Sequence, residues 1–208
     1  MEINREYFTR ELYKELQKKA SGKDNVRDKK IFDTYQYFIR HKRKLRSIDD
    51  LIVAISIAYS WMPTMLDIYD QSTKSLVALK DQVGKLKFIR SSTALIKKEG
   101  EVKEILFQLC NATNNSVVGA SKVLHLFYPL HIPIFDSRVR RAWNALFNKG
   151  IQIPIITNKN QVNLFYNYWL GILYWREKLG YSDVRRIEKR LYTFGGFLLD
   201  KKRKKQPP

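Results

Sequence analysis

Residues 114–147 read NNSVVGASKVLHLFYPLHIPIFDSRVRRAWNALF, and the fold turns on this stretch. The apolar spacing before it predicts a helix ending near Asn111. A tight turn holding Gly119 follows, and a second helix carries Lys122, Val123, Leu124, Leu126 and Phe127. Pro129 and Pro133 stop that helix. Ile134 and Phe135 then lead into Asp136, set where a new helix begins. N-capping and the helix macrodipole both favour a carboxylate there. The helix that follows is basic, with Arg138, Arg140 and Arg141. Two helices joined by a hairpin present backbone amides to a phosphate and so bind nucleic acid without reading its sequence.

Outward from this stretch the chain is helical almost throughout, with only 9 glycines and 6 prolines in 208 residues. Ile3, Tyr7, Phe8, Leu12 and Leu16 form one stripe, ended by Ser21-Gly22. Ile31, Phe32, Tyr35, Phe38 and Ile39 form a second, and a basic connection spans 40–46. Ser47 and Asp50 are spaced as a capping box and open a buried helix over 48–59, closed or restarted by Pro63. Helices are expected over 71–82, 84–98, 101–112, 119–128, 137–148, 160–178 and 182–199. Pro154 makes 151–156 an extended loop rather than a strand. The fold class expected is all-α, as one unit over 1–200, and the basic tail 201–208 is expected to be disordered. That tail serves either to tether DNA or only to solubilise.

Charge narrows the partners. Thirty-nine Lys and Arg stand against 20 Asp and Glu, a net charge of +19, with a pI near 10.0. A field of that size gathers polyanions. The longest apolar run, 51–61, is shorter than the ~20 residues a membrane helix needs, so no membrane partner is expected. The first residues are charged and lack an apolar signal stretch. A cytoplasmic, nucleoid-associated protein, monomeric and bound to double-stranded DNA, is the expectation. Cys110 is the only cysteine, which excludes an intrachain disulfide and a thiolate metal cluster. His125 and His131 have no metal-ligand partners near them in the sequence and are read as packing residues.

The order hairpin, short helix, proline loop, apolar-apolar-Asp, basic helix resembles the hairpin-Gly/Pro-Asp superfamily of helix-hairpin-helix DNA glycosylases. Pro133, Asp136, Val139 and Arg141 fall in register with its Pro-x-φ-Asp-x-x-φ-x-Arg pattern, φ being apolar. Residues 51–61 stand where that family has the buried helix leading to its base-inserting loop. The resemblance implies a two-lobed helical fold, 46–132 forming the hairpin-bearing lobe and 1–45 with 133–200 the other. It implies a damaged or modified base flipped out of duplex DNA and excised without a cofactor or metal. The single cysteine excludes the iron–sulfur cluster that some members carry. Asp136 would stabilise positive charge at C1′. The bland reading of Asp136 is a helix cap alone.

Two registers of the hairpin stay open. Anchored on Lys122, the resemblance makes that amine the nucleophile of an attached AP lyase activity. Anchored on Gly119, it puts Ser121 at that position, and Lys122 becomes a phosphate contact. The sequence departs from the family in two ways: Lys122 and Asp136 are 14 positions apart, about one helical turn closer than usual, and the hairpin lacks a second glycine. Gly119, Ser121, Arg138 and Arg140 are the candidate DNA contacts. Tyr59 and Trp61 are candidates for the base-inserting or pocket-lining position, with core packing as the alternative. Trp143, Trp169 and the helix from Ser182 onward are read as structural. The competing function is a non-catalytic helix-hairpin-helix DNA-binding protein. An RNA-binding protein is disfavoured, since no aromatic strand motif is present.

Overall fold

Short polar side chains open most helices among the described residues, each satisfying an amide that the first turn leaves without a partner. The computed structural model describes residues 3–23, 34, 35, 37, 39, 44–60, 62, 72–147 and 151–203. Thr9 Oγ1 accepts from the Leu12 amide at 3.1 Å and opens α1, Arg10–Ala20. Ser47 and Asp50 cap each other's amides ahead of α2, Ile48–Ser60, as their spacing predicts. Ser72 opens α3, Thr73–Lys85, and Ser91 opens α4, Ser92–Lys97. Next come α5, Glu99–Asn111, and α6, Val117–Phe127, the latter capped by Ser116. Asp136 caps α7, Ser137–Leu146. The long α8, Gln161–Leu179, precedes α9, Arg185–Arg203, where Asp183 accepts from the Arg186 amide at 3.1 Å. No strand occurs among the described residues, and the all-α class holds.

Several expected boundaries are corrected. The single helix over 84–98 is broken: a 3-10 turn, Leu86–Phe88, follows α3, and the chain restarts as α4. Ser91 Oγ, accepting from the Ala94 amide at 3.1 Å, favours that new start. The first apolar stripe is also cut. Asn4 caps a 3-10 turn, Arg5–Tyr7, and Thr9 caps again, so Tyr7 turns outward at 47% exposure while Phe8 is fully buried. Residues 201–203 belong to α9 and are helical rather than disordered; 204–208 lie outside the described residues. Of the second stripe, Tyr35 and Ile39 are described, both helical. Ile31, Phe32, Phe38, Pro63 and most of the basic connection lie outside. The segment 151–156 is an extended loop, held where the Asn144 side chain pairs with both backbone groups of Ile153.

One continuous apolar core joins these elements. α2 packs on α3 and α6, and α5 on α3 and α6. On the other side α9 packs on α1 and α7. Between them α8 touches α4, α5, α6 and α9. The α7–α9 crossing is close because position 195 is glycine: a Cβ there would fall 1.9 Å from the Arg138 carbonyl oxygen. Gly171 lets Phe8 and Trp143 lie against α8 in the same way. Trp143 and Trp169 are core residues, as expected, and Trp175 joins them. Each indole N–H has a carbonyl partner: Ile151 for Trp143, His131 for Trp169 and Thr9 for Trp175. A buried indole with its N–H satisfied keeps its full apolar contribution. No helix among the described residues is long and apolar enough to cross a membrane.

Candidate active site

Both members of the Lys122–Asp136 pair are positioned by α6. The turn before α6 is made by Asn114 and Asn115, each with φ of 51°. Asparagine tolerates that left-handed backbone better than most residues. Gly119 is therefore not the turn residue. It lies in the first turn of α6, buried, with its amide donating to Ser116 Oγ at 3.2 Å. Its missing side chain makes room for Thr113 and Tyr59, whose atoms would stand 3.1 and 3.3 Å from a Cβ. The Val117 amide is taken as well, donating to Gln161 Oε1 at 2.9 Å, while Gln161 Nε2 donates to the Asn115 carbonyl. Two amides expected to face a phosphate thus bond within the protein.

Ser121, one residue short of the lysine, is fully buried. Its hydroxyl donates to the Val118 carbonyl at 2.9 Å and accepts from the Phe135 amide at 3.0 Å. This ties the residue before Asp136 to α6. His125, a turn further on, donates from Nδ1 to the Ile132 carbonyl at 2.5 Å and accepts on Nε2 from the Tyr35 hydroxyl at 2.6 Å. Burial, with the Arg185 charge nearby, pushes its pKa down to about 3, so the imidazole is neutral. A third anchor comes from α9, where Glu188 Oε2 accepts from the Ile134 amide at 3.2 Å. The Ile132–Phe135 backbone is thus held from two helices, and the direction of Asp136 follows from it.

Asp136 Oδ1 accepts from the Val139 amide at 2.9 Å, so the cap expected from its position is present. Desolvation raises its pKa, opposed by the Val139 bond and by the positive charges of Lys122 and Arg138. Lys122 is only 9% exposed. Its amine is shifted in the opposite direction, down, because burial penalises the ammonium more than Asp136 favours it. A lysine with a depressed pKa within electrostatic reach of a half-buried carboxylate has the two properties that amine attack and cation stabilisation need.

The other candidates are placed as follows. Tyr59 is a core residue of α2, 6% exposed, with its ring against Gly119. Its hydroxyl has no hydrogen-bond partner among the described residues. Trp61 lies outside them. Arg138 stands over the Tyr192 ring at 4.6 Å, on the Asp136 side of the α7–α9 crossing. Arg140 donates to the Pro154 carbonyl at 3.1 Å and stays near solvent. Among the described residues no group of three or more His, Cys, Asp or Glu side chains is arranged to hold a metal. Cavities of about 530 and 540 Å³ open elsewhere, one beside the Leu86–Phe88 turn, the other beside Arg5 and Glu177.

Compared with known protein families, with characterised proteins and with solved structures, the chain matches none.

Sequence reasoning missed two residues of this region. Glu188 is 1% exposed at the start of α9, a helix read as structural. Besides the Ile134 amide it accepts from Arg185, whose guanidinium stands over the Tyr35 ring at 4.1 Å. Tyr168, on α8, is fully buried, and its hydroxyl has no hydrogen-bond partner among the described residues. The charges of Glu188 and Asp136 both bear on it.

Proposed function

We propose that this chain is a DNA N-glycosylase of the hairpin-Gly/Pro-Asp kind, with Asp136 stabilising the cationic sugar and Lys122 the amine of an attached AP lyase step. The observation that carries this reading is the pairing itself: the lysine and the aspartate, 14 positions apart, face one another electrostatically. Burial depresses the amine towards the neutral form a nucleophile requires. The register anchored on Lys122 is favoured over the one anchored on Gly119, which puts Ser121 at that position, because the Ser121 hydroxyl is engaged by Val118 and Phe135. The net charge of +19 supplies the sequence-independent attraction to duplex DNA. Two lobes, 46–132 and 1–45 with 133–200, are supported by the way α2, α3, α5 and α6 pack together, α1, α7 and α9 pack together, and α8 touches both groups.

The test is a panel of duplexes, each carrying one modified base, read for abasic sites and for nicks. Excision from at least one duplex is expected, with none from the unmodified control.

A non-catalytic helix-hairpin-helix DNA-binding protein is the second reading. It is favoured by the near-complete burial of Lys122 and by the full account that capping gives of Asp136. On that reading the whole panel is bound and none of it is cut.

A further inference from the structure

We propose that Glu188 is a positioning residue for Asp136, acting from α9 through the Ile134 amide and the single residue, Phe135, that separates them. The proposal rests on the glycosylase reading for its importance, though not for its geometry. Among the described contacts to this backbone are those of Glu188, His125 and Ser121, and of these three Glu188 carries charge: His125 is neutral and Ser121 is a hydroxyl. A carboxylate accepts an amide proton more strongly when ionised than when protonated. The grip on Ile134 therefore varies with the state of Glu188.

The groups facing Glu188 among the described residues set that state. Arg185, on the same helix, donates to Oε1. Asp136 opposes from the start of α7, and the Tyr168 hydroxyl of α8 and the Tyr35 ring lie within electrostatic reach. His125 Nδ1 stands 3.9 Å from Oε2 but forms no ion pair, since its proton serves the Ile132 carbonyl and the ring is neutral. Asp183 reaches the same neighbourhood through Tyr35. Burial raises the Glu188 carboxyl to about 7, against the pull of Arg185 and the Ile134 amide. The hold on the Asp136 loop thus changes in the neutral range.

Amide NMR of the whole chain tests this without any catalytic assay. The Ile134 proton should move downfield as Glu188 ionises, with a midpoint near 7. The Val139 amide, which reports Asp136 through its 2.9 Å bond, should show a second step at the same midpoint besides that of Asp136 itself. In Glu188→Gln both steps near 7 should vanish and the Asp136 step should remain. Arg185→Gln offers an independent check, because loss of its positive charge should move the Ile134 and Val139 steps together to higher pH. The proposal is overturned by a Val139 amide that follows Asp136 alone, by an Ile134 amide with no step, or by a step near 7 that persists in Glu188→Gln. A chain that titrates as expected but excises no base contradicts the enzymatic reading and leaves the positioning role intact.

Discussion

The Phe135 amide donates to Ser121 Oγ at 3.0 Å, so the helix that carries Lys122 also holds the residue before Asp136. One buried hydroxyl thus ties the two charged groups together, beside the holds of His125 and Glu188 on the same backbone.

Ser121→Ala should therefore act on stability and on excision, not on affinity. It leaves a buried amide without an acceptor, a loss of about 1–3 kcal/mol. Urea denaturation should show that loss while duplex binding stays within about twofold, since the buried hydroxyl bonds to Val118 and Phe135 within the protein. Weakened binding at unchanged stability would return Ser121 to the DNA surface.

The crossing of α7 and α9 gives a second prediction. At Gly195 a Cβ would overlap the Arg138 carbonyl, which is backbone and cannot swing aside. Gly195→Ala should cost about 3 kcal/mol or more, at the upper end of overpacking effects. Gly84→Ala in α3 has open space around its new methyl group. It should gain about 0.5–1 kcal/mol from helix propensity. Thermal melts of the two variants should move in opposite directions.

How far the sequence could be read follows from how local each signal is. Capping is written within four residues, so Ser47 with Asp50 and Asp136 with Val139 were legible, as was the loop around Pro154. Ser91 carries a similar signal, and the break it makes between α3 and α4 was there to be found. So was the Asn114-Asn115 turn, since paired asparagines suit a left-handed backbone as glycine does. Glu188 was not legible. Its neighbours Ile187 and Leu191 look like any amphipathic face, and the amide it serves lies 54 positions away. Tyr168 sits in an aromatic run where core packing explains every ring. Nothing local marks its hydroxyl as buried beside two carboxylates.

Acid should loosen the fold through His125. Its folded pKa, about 3, lies below the ordinary 6.5, so the neutral ring is the form the fold favours. That contribution is whole above pH 6.5 and is lost as pH falls from there towards 3, at no more than about 1.4 kcal/mol per pH unit. His125→Asn should be less stable at pH 7 and should lack this part of the slope. Urea midpoints at pH 7, 6 and 5 would show it. Equal slopes in both proteins would mean that the imidazole is not held neutral.

Lys122 is tested by trapping. An amine that attacks C1′ forms an imine with the opened sugar, and borohydride fixes it as a protein–DNA adduct. Wild type should trap and nick, and Lys122→Gln should do neither. Clean abasic sites with no trapping in wild type would describe a purely hydrolytic enzyme. Trapping that survives in Lys122→Gln would assign the amine elsewhere.

Single-turnover excision by Asp136→Asn, on whichever modified duplex wild type cuts, tests the central claim most directly. Asparagine caps a helix as well as aspartate does, so the Val139 amide stays satisfied and the fold should hold. Duplex binding should hold or tighten, since one negative charge leaves the site. With the carboxylate acting on the sugar, excision should fall by about 10²-fold or more, the scale of lost electrostatic stabilisation. An asparagine variant that excises at the wild-type rate would reduce Asp136 to a helix cap and contradict the account.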